Sequence, residues 1–423
     1  MFASYRRVLA TPGALAFTLA GLLGRLSFSM TGVSTVLLVT ARRDSYALAG
    51  AFTAVGAVST AVGLPLLGRL VDRYGQRRVA VPGVLVAAGP LLVLPLCART
   101  AVPSWALLLC CPAAAALPNL GGMARARWAH LLEDDPRARQ TAYSLEQVLD
   151  ELCFVAGPVL GTLLCTSLLP EAGLLTAAAL GCTGSLAFAA QRRTEPPVRP
   201  VPPGGGGGVL RVRGLRVLVL AFLATGVVFG AMEVSTVAYA DSLGERPLTG
   251  ALLALMAAGS AASGLLLGLG TPRRSPAVRL LRGAAAMAVL LLLPLAAGLT
   301  HAGAAALACA LLLAGAGTAP TMIAGFSLVQ ELLPAGRLNE AMGLAVSGIL
   351  VGISAGAALG GALAQHAPPG TGYLLPAGAA ALALLVVGAG QRALGQVYSH
   401  SAASEPSAST VERSAVLTPP SRS

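Results

Sequence analysis

The chain of 423 residues is 55% hydrophobic and only 11% charged, with a net charge of +12 and a mean hydropathy of +0.76. Soluble domains carry about 25% charged residues, so this composition excludes an ordinary soluble enzyme and indicates an integral membrane protein. The arginines stand mostly in short segments between apolar runs, as membrane orientation requires, and we therefore expect a lipid bilayer and no nucleic acid as partner.

Twelve apolar runs are long enough to cross a bilayer, which takes about 20 residues at about 1.5 Å each. They lie near residues 12–39, 46–67, 79–97, 104–124, 141–168, 173–190, 215–240, 248–270, 283–299, 303–328, 341–364 and 372–391. We number them spans one to twelve and predict an all-α integral membrane protein.

Between spans six and seven, a stretch rich in proline and glycine at 191–214 cannot form a spanning helix and is interpreted as a flexible linker. It divides the chain into two six-helix bundles, 1–190 and 215–392. The tail at 393–423 is rich in Ser, Pro and Thr, and we expect it to be disordered.

The two predicted bundles repeat each other in sequence. Gly50-Ala51 and Gly250-Ala251 begin similar spans at an offset of 200 residues. Ala156-Gly157-x-x-Leu160-Gly161 in span five matches Ala355-Gly356-x-x-Leu359-Gly360 in span eleven at an offset of 199. Such pseudo-symmetric halves place a substrate near the bilayer midplane, between the halves.

The arginines predict the orientation of the chain. Arg6 and Arg7 precede span one, and most other arginines follow an even-numbered span. The exceptions, on the opposite side, are Arg42, Arg43, Arg99 and Arg246. This bias predicts that both termini are cytoplasmic. Heavy use of Ala, Gly and Arg without any lysine is typical of a GC-rich bacterial genome, so we expect a bacterial inner membrane.

The turn between spans two and three, Gly68–Arg78, reads Gly-Arg-Leu-Val-Asp-Arg-Tyr-Gly-Gln-Arg-Arg. Gly68 lets another backbone approach, and Gly75 permits a turn conformation that is closed to other residues. Asp72 stands where it can cap a helix or pair with a cation.

This turn resembles the loop between helices 2 and 3 of the major facilitator superfamily, Gly-x-Leu-x-Asp-Arg-x-Gly-Arg-Arg. The matching residues are Gly68, Leu70, Asp72, Arg73, Gly75 and Arg77. Gln76 replaces the usual basic residue. The resemblance implies a twelve-helix transporter in which Gly68, Asp72, Arg73, Gly75 and Arg77 belong to a cytoplasmic gate.

Span five carries three acids, Glu146, Asp150 and Glu151, whereas span eleven has Ala345 opposite Glu146 and apolar or small residues opposite the other two. A carboxylate within a membrane costs a few kcal/mol unless it is paired, protonated or hydrated. Glu146 and Asp150 are four residues apart and share a helix face, while Glu151 points about 100° away.

Arg25 lies near the middle of span one and is the only arginine that we place inside a span, since Arg125 and Arg127 follow span four. Two interpretations stay open. One is a structural ion pair between Arg25 and Asp150 or Glu151. The other is that one of these acids takes and releases a proton and so couples transport to the proton gradient.

Glu233 is the isolated carboxylate of span seven, two residues before Ser235, and span one contains a similar segment around Ser34. Apolar surroundings and hydroxyl groups suit a cavity wall that recognises a cationic or hydrogen-bonding substrate. The alternative is that the hydroxyl groups bond back to their own helices. Asn119, at a helix bend, is another candidate lining residue.

Gly157, Pro158 and Gly161 resemble part of the Gly-Pro motif in span five of exporters of the same superfamily. Pro158 removes one helix hydrogen bond and the glycines permit close helix packing, so we predict a bend or pivot.

Several kinds of site are missing from the sequence. A phosphate-binding Gly-x-x-x-x-Gly-Lys loop is absent, and the histidines and seven cysteines show no metal-ligand spacing. We expect no metal, no cofactor and no ATP hydrolysis.

We therefore predict a monomeric, proton-coupled exporter of a small organic molecule, such as a drug or secondary metabolite, that works by alternating access. One alternative is uptake of a sugar or organic acid by the same fold, for which Arg25 would suit an anionic substrate. A second alternative is a membrane sensor or enzyme, for which the sequence shows neither a catalytic cluster nor an extra soluble domain.

Overall fold

The chain is helical in a computed structural model, which describes residues 3–100, 102–109, 111–198, 208–245, 248–270, 274–368 and 370–395. In the first half the helices are α1 (Ala3–Leu9), α2 (Ala14–Arg43), α3 (Tyr46–Tyr74), α4 (Gln76–Ala98), α5 (Ser104–Leu108), α6 (Cys111–Ala114), α7 (Leu120–Leu131), α8 (Pro136–Ser167) and α9 (Ala172–Ala190). In the second half they are α10 (Arg213–Ser242), α11 (Thr249–Leu269), α12 (Pro276–Leu290), α13 (Leu292–Leu299), α14 (Gly303–Gly315), α15 (Thr318–Leu332), α16 (Leu338–His366) and α17 (Leu374–Ala389).

Within these described residues, eleven helical segments are long and apolar enough to cross a membrane. They correspond to eleven of the twelve predicted spans, with α12 and α13 together forming the ninth and α14 and α15 the tenth. The predicted all-α, multi-pass membrane fold is confirmed, and span four is the predicted span to which none of these eleven segments corresponds.

Span four is not one helix over 104–124, as predicted, but three helices, α5, α6 and α7. Pro112 and Pro118 account for the interruption, because proline cannot donate a backbone hydrogen bond and disfavours a helical residue before it. Asn119 then begins a new helix, since its Oδ1 accepts a hydrogen bond from the backbone N–H of Gly122 at 3.0 Å.

Each half is built around one central helix. In the first bundle α2 packs on α8 and α9, and in the second α10 packs on α16 and α17. The α10–α16 contact is especially close, because a Cβ on Gly226 or Gly230 would overlap the backbone of Ile349 or Ile353. Within a membrane no hydrophobic force drives helices together, and small residues allow the close approach that holds them by packing instead.

The two bundles meet where α3 packs on α16 and α8 packs on α11. We call the end where α3 joins α4, α7 joins α8 and α15 joins α16 the arginine-rich end. There Thr141 donates to the Gly268 carbonyl at 2.6 Å, and Tyr5 of α1 donates to the Leu265 carbonyl at 2.8 Å. The bundles are therefore closed against each other at the arginine-rich end.

At the opposite end, Glu171 ties together the helices of the first bundle. Its Oε1 accepts hydrogen bonds from Arg99 and from Arg42, each at 2.8 Å. These bonds, Arg99 foremost, lower the pKa of Glu171 to about 2. Arg43 donates to three backbone carbonyl groups in residues 97–102. Three of the four arginines that break the orientation bias thus hold helix ends together.

The predicted linker begins as an ordered segment. Arg192–Thr194 forms a 3-10 turn, and Thr194 is buried against the first bundle. Residues 199–207 of the linker and 396–423 of the predicted tail lie outside the described residues, so the predicted domain bounds stay a prediction. Leu394 is buried in the core of the second bundle, two residues past the predicted end at 392.

Candidate functional site

Four charged side chains, Arg25, Arg125, Glu146 and Asp150, meet between α2, α7 and α8, and we call them the charge cluster. Nη1 of Arg25 lies 2.8 Å from Oε2 of Glu146 and 2.8 Å from Oδ1 of Asp150. Nη2 of Arg125 lies 2.7 Å from Oδ2 of Asp150. Two guanidinium groups thus face two carboxylates, and the formal charges balance.

The helical period places these groups together. Glu146 and Asp150 lie one turn apart on α8 and share a face, as the sequence predicted, and the structure turns that face toward α2. Trp128 of α7 donates from Nε1 to Oε1 of Glu146 at 2.7 Å. The Glu146 side chain is fully buried, whereas Asp150 keeps 20% of its side chain exposed. Asp150 is therefore the acid of the cluster with the most access to solvent.

The placement of Arg125 and Arg127 corrects the sequence analysis, which put both in a loop and left Arg25 as the only arginine within a span. Both lie in α7, with 3% and 0% of their surface exposed. Arg127 donates to Gln76 at 2.8 Å, and its guanidinium lies 3.9 Å from the centre of the Phe188 ring. Buried arginines with such partners are structural parts of a bundle, not orientation signals in a loop.

Arg125 also connects the charge cluster to the second bundle. Its guanidinium lies over the Phe326 ring of α15, 4.4 Å from the ring centre. Its backbone carbonyl accepts a hydrogen bond from Nε2 of Gln330 at 3.5 Å. The cluster therefore borders the interface between the bundles.

Glu151 is held differently from the other two acids of α8. Its Oε1 accepts hydrogen bonds from Nε2 of Gln147 at 3.1 Å and from Oγ of Ser260 at 2.8 Å. Ser260 belongs to α11 of the second bundle. Glu151 thus joins the two bundles directly, as its different helix face allows.

Glu233 is exposed on α10. Gly32-Val-Ser-Thr-Val36 and Glu233-Val-Ser-Thr-Val237 differ only in the first residue, so an acid stands where the first bundle has glycine. Gly230 and Val234 of the same helix contact α16, which leaves Glu233 on another face. A carboxylate facing lipid costs several kcal/mol unless it is paired, protonated or hydrated, so the cavity role of Glu233 stays a prediction.

The other predicted cavity residues are packed or capping. Ser34 is buried close to Gly161 and Gly173, and Ser235 is buried close to Gly372. Asn119 caps α7 through its side-chain oxygen. Ser34 and Ser235 occupy equivalent positions of the two bundles, and a substrate role for Ser34, Ser235 and Asn119 stays a prediction.

The turn Gly68–Arg78, for which the resemblance implies a gate role and which we call the gate turn, contacts the N-terminus of α16. Oδ1 of Asp72 accepts hydrogen bonds from the backbone and side-chain nitrogens of Asn339 at 3.0 and 2.8 Å, and Oδ2 accepts one from the backbone of Glu340 at 2.9 Å. A Cβ on Gly68 would overlap the carbonyl of Asn339. Asp72 therefore caps a helix of the other bundle, where the helix dipole favours a negative charge.

Of the remaining predicted gate residues, Arg73 and Arg77 are exposed and Gly75 is buried. Gly75 has φ +92° and joins α3 to α4. The backbone N–H of Arg77 donates to Oε1 of Glu195 in the linker at 2.9 Å. The exposed guanidinium of Arg73 lies 5.3 Å from the centre of the Tyr74 ring. A gate role for Arg73, Gly75 and Arg77 stays a prediction.

Gln76, the departure from the family pattern, is buried. Its Nε2 donates to the Met123 carbonyl at 3.0 Å, and its Oε1 accepts the hydrogen bond from Arg127. A basic residue at this position would face the buried Arg127 cation, so the neutral amide suits this chain.

Gly157 and Gly161 pack α8 closely on α2. A Cβ on Gly157 would lie 2.5 Å from Cβ of Ser29, and one on Gly161 would lie 2.8 Å from Oγ of Ser34. α8 runs without a break through Pro158. Close packing explains the two glycines, while the pivot stays a prediction.

No group of three or more His, Cys, Asp or Glu side chains suited to a metal ion occurs in the part of the chain that the structure describes. The Glu146 and Asp150 carboxylates are held by arginines instead.

A family model described as Major Facilitator Superfamily matches residues 17–345. No curated protein matches the sequence. Solved structures share the fold at low identity. The human organic anion transporter MFSD10 (TETRAN) is 18% identical with a TM-score of 0.68, over 88% of this chain and 98% of that chain. A bacterial homologue of the iron transporter ferroportin, in its outward-facing state, is 14% identical with a TM-score of 0.67, over 91% and 99% of the two chains.

A third similar structure is the proton:xylose symporter XylE with 6-bromo-6-deoxy-D-glucose bound. It is 15% identical to this chain, with a TM-score of 0.64 over 88% of this chain and 94% of that chain. These three proteins carry different solutes on one fold, so the likeness concerns architecture and not substrate.

Proposed function

This chain belongs to the Major Facilitator Superfamily, and from that premise we propose that it exports a small organic cation in exchange for protons by alternating access. The family and the similar solved structures are transporters, not enzymes. The observation that carries the proposal is the charge cluster between α2, α7 and α8, at the border with the second bundle.

The charge cluster suits the transmission of a proton-driven change because its charges are balanced and one of its acids, Asp150, is partly exposed. Asp150 is shared by Arg25 and Arg125, so binding of a proton by an acid on this part of α8 leaves positive charge in excess. Arg125 also stacks on Phe326 of the second bundle. A change of charge at the cluster therefore acts on the contact between the bundles, which alternating access requires to change.

Glu233 supports a cationic substrate. The charge cluster is neutral overall. Glu233, in contrast, is an exposed acid, and the equivalent residue of the first bundle, Gly32, carries no charge that could balance it. Phe229 lies one turn before Glu233 on the same face of α10, and an aromatic ring beside a carboxylate suits an aromatic or alkyl ammonium ion. A drug or secondary metabolite that carries an amine fits this description.

The orientation of the chain supports export. The arginine bias makes the arginine-rich end cytoplasmic, so we interpret the closed state at that end as outward-facing, with both termini in the cytoplasm of a bacterial cell. The Gly157-Pro158 segment resembles that of exporters. One chain supplies both bundles, and we propose that it works as a monomer.

The alternative, uptake of a sugar or organic acid, depended on Arg25 as an anion-binding residue. Arg25 is paired with Glu146 and Asp150, so its charge is already balanced. This balance leaves Arg25 no free charge for an anionic substrate. An organic anion and a sugar serve as comparison substrates in the experiment.

The experiment uses purified protein in lipid vesicles with an acidic lumen and three labelled solutes. We expect accumulation of 1-methyl-4-phenylpyridinium, abolished by an uncoupler, and no accumulation of benzoate or xylose. Glu233→Gln is expected to weaken cation affinity about tenfold, since the charged contact to the cation is lost. Accumulation of benzoate or xylose without the cation would overturn the proposal.

A further inference from the structure

The three acids of α8 differ in the partners that hold their charge. Glu146 is paired with Arg25 and Trp128, and Asp150 is paired with two arginines. The partners of Glu151, Gln147 and Ser260, are neutral donors. A carboxylate held only by neutral donors gives up its charge more easily than one held by two guanidinium groups.

Ser260 extends the contact into the second bundle. It is 2% exposed, and its Oγ accepts a hydrogen bond from Oγ1 of the fully buried Thr318 on α15 at 2.8 Å. Ser260 has one hydroxyl hydrogen, and it gives this hydrogen to Glu151. An ionised carboxylate can only accept, so the ionised form of Glu151 fixes Ser260 as the donor of their bond.

The contact lies on the packed surface between α8 and α11, which we call the seam. Nearer to the arginine-rich end, the seam contains the Thr141 bond to Gly268 and a 3.5 Å approach between Val148 and a Cβ built on Gly264. Glu151 and Ser260 lie near the midpoints of their helices. They form the polar contact of the seam that is deepest in the membrane.

The ionisable groups around the seam are few. α11 contains no Asp, Glu, Arg, Lys or His, and the acid of α15 is Glu331, at the far end from Thr318. On α8 the charged neighbour of Glu151 is Asp150, whose charge Arg25 and Arg125 balance. Tyr5 of α1 also touches the seam, but burial raises its pKa to about 12, so it stays neutral. Glu151 is therefore the seam residue whose charge can change when a proton binds or leaves.

We propose that Glu151 is the proton-carrying residue and that its ionised form holds the seam closed through Ser260. This inference rests on the proposed proton-coupled transport. When Glu151 binds a proton from the open side, its carboxylate loses its charge and the Ser260 bond loses its charge assistance, which about halves its strength. The seam then loosens, the arginine-rich end opens, and the proton leaves to the other side.

The test measures opening without any substrate. Fluorescent amino acids are placed at the exposed positions Arg137 on α8 and Arg282 on α12, and energy transfer between them is followed in lipid nanodiscs from about pH 5 to pH 9. In the protein without substitutions in the seam, we expect the arginine-rich end to open as the pH falls, and the energy transfer to change with a single pH midpoint. Glu151→Gln is expected to be open to the same degree at every pH, because an amide does not titrate.

Ser260→Ala supplies a second variant that keeps all acids. Without the Ser260 donor the ionised form of Glu151 is less stable, so the midpoint is expected to move about one unit to higher pH. Ser263→Ala is the matched control, because Ser263 bonds only the Ser260 carbonyl of its own helix at 2.9 Å, and its midpoint is expected to stay unchanged.

The inference is overturned if opening does not depend on pH, if Glu151→Gln keeps the same midpoint, or if Ser260→Ala behaves like Ser263→Ala. Absence of cation transport in vesicles whose opening still depends on Glu151 overturns the proposed function and leaves this assignment standing. The two claims therefore fail separately.

Discussion

The two bundles use the same pair of helices in opposite ways. In the first bundle, Arg25 of α2 forms an ion pair with Asp150 of α8 at 2.8 Å. The repeat places Gly226 and Ile349 at the equivalent positions of α10 and α16, where the Gly226 backbone packs directly against the Ile349 carbonyl. One copy of the duplicated pair carries charge, and the other carries close backbone packing.

This difference indicates a division of labour. The α10–α16 pair is interlocked by glycines on both helices, Gly226 and Gly230 on one and Gly352 and Gly356 on the other. Close-packed backbones are stiff, whereas a cluster of ionisable groups responds to protons. We infer that the second bundle moves as a rigid body and that the first contains the proton-sensitive element.

The largest effect is expected from Asp150→Asn. The variant leaves Arg25 and Arg125 without full compensation, and breaking a buried ion pair typically costs about 3–5 kcal/mol. Urea unfolding of the purified protein measures the loss of stability, and vesicle transport measures the loss of activity. The matched change in the second bundle, Ile349→Val, is expected to cost about 1 kcal/mol and to keep transport. Equal effects of the two variants would remove the contrast between the bundles.

A smaller effect is expected from Gly226→Ala. The added Cβ meets the Ile349 carbonyl and forces α10 and α16 apart, which should lower the free energy of unfolding by about 1–3 kcal/mol. Gly32→Ala is the control, because a Cβ there meets no atom within 4 Å. If both variants unfold at the same urea concentration, the second pair is not tightly interlocked.

The gate turn should give an effect of about 1 kcal/mol. Asp72→Asn weakens the cap on α16, so the arginine-rich end is expected to open more often. Energy transfer between labels at positions 137 and 282 measures the shift. Arg69→Ala should do less, because the Arg69 side chain is 60% exposed in its ion pair with Glu340. A larger change in Arg69→Ala would contradict the capping role of Asp72.

The smallest effect concerns Glu171 at the opposite end. Its pKa of about 2 is below its ordinary value of 4.5, so its stabilising contribution is complete above about pH 4.5 and is lost as the pH falls toward 2. Thermal unfolding between pH 6 and pH 3 should show this loss, and Glu171→Gln should show less of it. Identical pH dependence in both proteins would mean that Arg42 and Arg99 do not stabilise the ionised form.

Hydropathy was sufficient to predict most of the fold. Spans in which long apolar runs continue without interruption became helices, and the repeat predicted two matched bundles. The prediction of span four as one helix was wrong because Pro112 and Pro118 divide an apolar run that hydropathy alone treats as continuous. Arg125 and Arg127 were missed for a related reason, since polar residues ended the predicted span while the helix continues to Leu131.

The site was only partly predictable from helical spacing. Spacing placed Glu146 and Asp150 on one face and Glu151 on another, and these placements hold. The burial of Ser34 and Ser235 was harder to predict. It results from packing of Ser34 against α9 and of Ser235 against the turn before α17, which the local sequence does not indicate. The partners of Gln76, and Ser260 as a partner of Glu151, lie more than 45 positions away in the sequence, and no local pattern indicates them.

Proton movement driven by a cation gradient tests the central claim most directly. Vesicles with a trapped pH dye receive an imposed gradient of 1-methyl-4-phenylpyridinium at zero membrane potential. Protons are expected to move against the cation in the unsubstituted protein and in Ile349→Val, and not in Asp150→Asn. Proton movement that persists in Asp150→Asn, or that is absent from the unsubstituted protein while the cation still crosses, would contradict the account.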